Sequence, residues 1–364
     1  MEGLFESYKQ RLRVLRLMLS KRGLDGFLVT ERGNVRYLTG FSGSSGLCFV
    51  RPDRAYFVTD FRYMEQAAQE VAPEFELLFA RNTLIQPLEE KKLFPSGAQI
   101  AFEAEHVRTS FYFKLKERFP HTHFIPTEKI LETQAMRKDK GEIALLRQAA
   151  RIADEALREV LPLVKIGVTE REIAAELSYR MRLKGADRDS FDPIVASGPR
   201  SALPHGLASD KKLAPGELVV LDFGAVYQGY ASDMTRTVAL GKIGSELRQI
   251  YEAVRVAQEK AVRAARPGLT CQALDQVARD SIQQAGYGRY FIHSLGHGLG
   301  LHVHAEPRVG TGSETVLEEN FVITIEPGIY LPDVGGVRIE DDILIRKNGA
   351  ERLTKFPREF IEIE

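Results

Sequence analysis

Four carboxylates and a histidine-rich loop in the second half of the chain have the types and spacing to hold metal ions. Asp222 and Asp233 lie in LVVLDFGAVYQGYASDMTRTV, where two strand-like runs flank Tyr227, Gln228 and Gly229. The two aspartates are equidistant from a point between Tyr227 and Gln228. A hairpin turning there sets them directly opposite each other, and cross-strand partners hold their Cβ atoms about 4.5–5.5 Å apart. Two carboxylates that close repel, and aspartate has poor strand propensity. A bound dication is the simplest compensation.

The geometry recurs in FVITIEPGIYLPDVGGVRIEDDILI, where Glu326 and Glu340 are symmetric about Asp333. Pro332, Gly335 and Gly336 between them favour a turn. Glu340 is followed by Asp341 and Asp342, and the acidic run also reads as a charged hairpin end. The third segment, HSLGHGLGLHVHAEP, carries His293, His297, His302 and His304, four of the chain's eight histidines. Its glycines at 296, 298 and 300 permit close backbone approach. One imidazole with four carboxylates makes a mostly oxygen ligand set whose charge balances two dications. Such a set suits manganese, with cobalt or zinc as alternatives, and the lack of thiolate argues against a structural zinc.

These groups need strands and turns to present them, and the chain is long enough to supply both. Its 364 residues fit two domains. Lysine plus arginine equals aspartate plus glutamate at 50 each, which argues against nucleic acid as the main partner. Cys48 and Cys271 form no CxxC pair and read as two buried thiols of a reducing compartment. The N-terminal stretch is charged throughout, unlike a signal peptide, and no run of 18 apolar residues occurs. A cytoplasmic protein without membrane association is the expectation.

Residues 5–22 have helical periodicity through Leu12, Leu15 and Leu19. A strand at 27–29, a small-residue loop over 37–46, two strands (LCFV and AYFVTD) and a helix over 61–71 follow. This alternation continues to about Glu132 and indicates a small α/β domain. Near Met136 the composition changes, which puts the domain boundary at about 132–138. Helices are expected over 139–163, capped by Asp139, and over 170–184, capped by Thr169. Strands over 192–240, helices over 245–265 and 270–285, and strands from 320 onward complete the chain. The order of two helices then strands, twice over, outlines an internal duplication. The division expected is therefore 1–132 and 133–364.

Taken together, LDFGAVYQGYASDMTRT, HSLGHGLGLHVHAEP, ITIEPGIY and GGVRIEDDILI resemble the pita-bread metallopeptidases, the family of prolidase, aminopeptidase P and methionine aminopeptidase. The resemblance implies a duplicated α+β fold with two divalent metals held by Asp222, Asp233, His297, Glu326 and Glu340. NVRYLTGFSGSSG and FVTDFRYMEQA resemble the N-terminal domain of the proline-specific branch. His205, His304, Tyr330 and Arg338 match further positions of that branch. The resemblance implies that Glu326 acts as general base, that His205 and His304 hold the scissile carbonyl and the developing oxyanion, and that Arg338 and Tyr330 orient the carboxylates. It also suggests a homodimer. Ala305 stands where the family often has an acidic residue, and His302 also replaces an acid.

The activity so implied is hydrolysis of the bond before a proline in a peptide. The compact length and YLTGFSGSSG favour an Xaa-Pro aminopeptidase, with the Xaa-Pro dipeptidase, prolidase, as the alternative. The two differ in whether cations behind the proline bind a free carboxylate. A metal-free amidinohydrolase or a non-enzymatic binding module of this fold would be expected to lose ligand positions, and all five are filled here.

Overall fold

A computed structural model describes residues 2–364, with side chains from Glu6 onward. The chain divides into two compact units, one ending at Ala135 and the other spanning Met136–Glu364.

In the first unit the amphipathic helix Glu2–Lys21 buries Leu12, Leu15 and Leu19 almost completely. The sheet has six strands in the order Glu76–Ala80, Ala55–Asp60, Leu47–Val50, Gly26–Val29, Gln99–Glu103, His123–Thr127. Part of the expected loop at 37–46 is instead the end of a helix, Arg32–Thr39. Glu31 caps it by accepting the Asn34 N–H, and Gly40 ends it at φ 86°. Eight residues with little apolar periodicity leave no clear helical signal. The helix expected over 61–71 is a 3₁₀ turn, Phe61–Tyr63, followed by the α-helix Met64–Glu70.

The first helix of the second unit starts at the expected cap. Asp139 accepts the Glu142 N–H and Glu142 accepts the Asp139 N–H, which starts the helix Lys140–Val160. Thr169 and Glu172 form the same reciprocal cap for Glu170–Leu183. Two more helices, Ser245–Ala264 and Cys271–Gln284, lie later in the chain. Each helix pair buries an apolar face against its own sheet. Leu157, Val160 and Leu177 pack with Val219, Leu221 and Val238 in one half, and Ile250, Val254 and Leu274 pack with Ile323, Ile325 and Ile343 in the other. Each such side chain contributes about 1.5–3 kcal/mol on burial.

The duplication is visible in the backbone. Thr169 bridges Lys212 as Thr270 bridges Val316. The N–H groups of Gly167, Glu170 and Arg171 donate to Leu213, Lys211 and Ser209, and those of Gly268, Cys271 and Gln272 donate to Leu317, Thr315 and Ser313. The same helix–loop junction is therefore built twice.

One sheet of this unit runs Glu362–Ile363, Met234–Leu240, Leu218–Phe223, Ile194–Ser197, a second runs Ala305–Val309, Gly296–Gly298, Val322–Ile325, Asp341–Arg346, Gly349–Arg352, and a small third runs Tyr230–Ala231, Ala225–Tyr227, Arg188–Asp189. A separate hairpin pairs Gly328–Leu331 with Gly335–Arg338. The expected strands over 192–240 are interrupted, because a 3₁₀ turn at Gly198–Ala202 and a loop to residue 217 replace strand there. That loop carries His205. Both cysteines are buried, and among the described residues no helix is long and apolar enough to cross a membrane.

Candidate metal centre

The first carboxylate pair sits on a hairpin whose register differs from the expectation. Asp222 pairs with Thr235, not with Asp233. The chain reverses at Gln228 and Gly229, with φ of 46° and 85°, the two positive values of a type I′ turn. That centre lies one residue later than assumed, which moves the register by two. Side chains alternate with a period of two, so Asp222 and Asp233 remain on one face as diagonal neighbours. Glu326 and Glu340 keep their expected register, since the ladders on either side of them pair Ile325 with Asp341 and Gly328 with Arg338.

His297 occupies the middle of the strand Gly296–Gly298. A Cβ at residue 296 would lie 2.1 Å from the Thr324 carbonyl oxygen, and one at 298 would lie 1.9 Å from that of Glu306. Only glycine permits these approaches. The His297 Nδ1 stands 3.0 Å from the Gly298 carbonyl, which assigns the proton to Nδ1 and leaves Nε2 with a lone pair. Nε2 lies 3.4 Å from Glu326 Oε1 and 3.6 Å from Asp233 Oδ2. Ligand atoms of Asp233, His297 and Glu340 all lie within 4.8 Å of one another, close enough for one ion.

Asp222 is turned toward Arg338, whose Nη2 donates to its Oδ2 at 2.5 Å. Arg338 Nη1 donates to Tyr330 OH at 2.8 Å and to the Pro204 carbonyl at 3.2 Å, and Nε donates to Thr235 Oγ1 at 3.0 Å. Thr235 Oγ1 in turn donates to Glu340 Oε2 at 2.6 Å. Tyr330 OH lies 2.9 Å from His293 Nε2. Among the described residues, Asp222 Oδ1, Asp233 Oδ1 and Glu340 Oε1 are buried without a hydrogen-bond partner. Orphaned carboxylate oxygens in one place are costly unless a cation meets them.

Without a cation Asp233, Glu326 and Glu340 favour their protonated forms. Burial pushes Asp233 and Glu340 well above the usual carboxylate range, and neighbouring carboxylates push in the same direction. Burial takes Glu326 up to about 8, with Arg338 opposing and Asp222 adding to the rise. Burial also takes His297 down to about 4, so its imidazole is neutral at ordinary pH. The residues present thus fit a divalent ion: unsatisfied acidic oxygens around a neutral imidazole lone pair.

His205, His304, Tyr330 and Arg338 line the same cleft of about 280 Å³, together with Asp233, His297, Glu326 and Glu340. The rings of His297 and His304 meet edge to face at 4.6 Å between centroids. The structure adds residues that the sequence reading did not single out. Arg308 lines the cleft beside His293, one of the four histidines already noted, and Thr235 links Arg338 to Glu340. Asp342 accepts the Asp233 N–H at 3.2 and 3.3 Å. Asp341 and Asp342 are wholly buried, so the charged-hairpin-end reading fails. Asp341 instead accepts from Arg236 at 2.7 Å and from Gln258 at 2.8 Å. The signal available in sequence was three successive acids in a run, IEDDILI, otherwise patterned as a buried strand.

Residues 144–347 match metallopeptidase family M24, and residues 11–138 match the creatinase/prolidase N-terminal domain. The chain belongs to metallopeptidase family M24. It is a hydrolase built of that N-terminal domain and a pita-bread peptidase domain. It is similar to an Xaa-Pro dipeptidase of Pyrococcus horikoshii, 42% identical over 94% of this chain and 96% of that one. Among solved structures it is similar to an Xaa-Pro dipeptidase from Bacillus anthracis, with a TM-score of 0.94, 43% identity and coverage of 98% and 100% of the two chains. It is also similar to an X-Pro aminopeptidase from Thermotoga maritima, with a TM-score of 0.86, 39% identity and coverage of 94% and 98%.

Proposed function

We propose that this metallopeptidase is an Xaa-Pro dipeptidase, which reverses the preference for an aminopeptidase drawn from the sequence. Relatives named as Xaa-Pro dipeptidases support the reading, and one observation in the cleft carries it. Arg308 lines the same cavity as the metal-binding acids. Its Nε donates to Ser294 Oγ at 2.8 Å, which fixes the guanidinium at the cleft wall. A fixed guanidinium is suited to the free carboxylate of a dipeptide's proline.

Asp222, Asp233, His297, Glu326 and Glu340 would hold two divalent ions, manganese by the oxygen-rich donor set, which when bound polarise the scissile carbonyl and activate water. Glu326, at the cleft, takes the proton released during attack and returns it to the leaving nitrogen. His205 and His304 donate to the carbonyl oxygen as charge builds there. Arg338 keeps Asp222 and Tyr330 aligned through its fork of donors. The selected bond is a tertiary amide without an N–H, so the cleft needs no acceptor for that nitrogen.

The test compares Ala-Pro with Ala-Pro-Ala on manganese-reconstituted protein. Cleavage of the dipeptide alone supports the proposal. Preference for the tripeptide makes the protein an aminopeptidase, the reading favoured by its likeness to the Thermotoga maritima structure. Arg308→Ala should raise KM for Ala-Pro by roughly tenfold or more, as loss of a charge-assisted hydrogen bond implies. An unchanged KM removes Arg308 from carboxylate recognition.

A further inference from the structure

The loop that brings His205 to the cleft is tied down at both ends by one carboxylate. Glu170, the first residue of the helix Glu170–Leu183, is fully buried. Its Oε1 accepts the Ser197 N–H at 2.8 Å and the Ser197 hydroxyl at 2.9 Å, where the loop leaves the strand Ile194–Ser197. Its Oε2 accepts the Ser209 N–H at 3.1 Å and the Ser209 hydroxyl at 2.7 Å, beyond the loop's far side. Arg200 joins the two ends, with Nε 3.0 Å from Glu170 Oε2 and Nη2 donating to the Leu207 carbonyl at 2.6 Å. On its other flank the loop meets the hairpin that carries Arg338. The Gly336 N–H donates to Ser201 Oγ at 2.8 Å, and Arg338 Nη1 donates to the Pro204 carbonyl next to His205.

The duplicated half offers a comparison. There the same junction is built from the same backbone hydrogen bonds, with Cys271 at the place of Glu170 and Ser313 at that of Ser209. The ends of the matching segment there are held by a different carboxylate, Asp275, one turn further into the helix, which accepts the Leu295 N–H at 3.0 Å and the Thr311 hydroxyl at 3.3 Å. What Glu170 adds, a carboxylate on the first helical residue that bonds both Ser197 and Ser209, is specific to the first half, whose loop brings His205 to the cleft as the second half's brings His304. We propose that Glu170, with Arg200, is the positioning residue of His205: the clamp holds the 198–208 loop so that the imidazole meets the substrate carbonyl. This rests on the proposed role of His205 at the substrate.

The experiment is a double-mutant cycle on the full-length, manganese-loaded protein, with hydrogen exchange of the loop as a second readout. Glu170→Ala should lower kcat/KM by roughly ten- to a hundredfold, the scale for misplacing a group that acts at the reacting centre. In a His205→Ala background it should change kcat/KM by less than about twofold, because residues acting as a unit are non-additive. Metal affinity should stay unchanged in each variant, and amides of 198–208 should exchange faster in Glu170→Ala. Arg200→Ala, at a partly exposed side chain, should show the same pattern and serves if Glu170→Ala unfolds. Equal losses in the presence and absence of His205, or unaltered exchange in the loop, would overturn the clamp. If His205→Ala alone leaves activity intact, the role of His205 fails. The part of the proposal that acts through His205 falls with it.

Discussion

Arg338→Met offers a sharp test of the metal centre, because its effect on stability should depend on whether metal is present. Arg338 is buried and is the cation 2.5 Å from Asp222. Methionine keeps much of the volume but removes the charge. In metal-free protein Asp222 then has two courses. It can stay ionised, and breaking a buried pair costs about 3–5 kcal/mol. It can instead take up a proton. For an ordinary carboxylate titrating near pH 4, that costs about 4 kcal/mol at pH 7, at roughly 1.4 kcal/mol per pH unit. The two routes agree at neutral pH, and the second falls to about 1.5 kcal/mol at pH 5. The destabilisation of chelator-treated protein should therefore be about 3–5 kcal/mol at pH 7 and should shrink as the solution is acidified. With manganese bound, a dication beside Asp222 already offsets its charge, and the penalty should be less than half as large. Urea titrations at pH 5 and 7, with chelator or with manganese, measure all four values. Equal penalties with and without metal would refute the assignment of Asp222 to the metal, and a pH-independent penalty would refute the charge argument.

Metal binding should expel protons. Glu326 is held up to about 8 without metal, so it is mostly protonated at pH 7, and Asp233 and Glu340 lie well above their usual range. A raised carboxylate stabilises the metal-free fold at low pH and loses that contribution as pH climbs through its folded value, about 8 for Glu326, whereas metal affinity should climb over the same window. Calorimetry of manganese binding at pH 7 in buffers of different ionisation enthalpy should find more than one proton released, and heat independent of buffer would contradict this. Asp342→Ala should weaken manganese binding by about 10- to 100-fold, since Asp342 holds the Asp233 backbone, and a titration showing native affinity would assign it to packing alone. His304→Ala should lower kcat by about 100-fold at unchanged metal content, as loss of a donor to a developing oxyanion implies, and a fall in bound metal instead would make it a ligand.

Much of this architecture was legible without coordinates because it is local. Asp139 with Glu142 and Thr169 with Glu172 mark helix starts through residues three apart, and alternating apolar residues mark the buried strands around Asp222 and Glu340. The short helix Arg32–Thr39 escaped because its start rests on a single Glu31 side chain rather than on periodicity. The sequence alone also determined that four carboxylates and an imidazole share a few strand and loop segments, since the Asp222 and Asp233 spacing survives a register error of two residues and the Glu326 and Glu340 spacing needed no correction.

The tertiary structure decided everything that depends on where a turn closes and on which strands meet. A type I′ turn at Gln228–Gly229 placed Thr235, not Asp233, opposite Asp222, and so made Thr235 the link between Arg338 and Glu340. Burial turned Asp341 and Asp342 from an apparent charged end into a support beneath the site, because the strand Asp341–Arg346 lies inside its sheet rather than at the edge. The contacts of Arg308 and of the Glu170 clamp join residues 14 to 39 positions apart in sequence. No short-range pattern encodes such pairings, because they exist only once packed sheets and loops bring distant backbone into register.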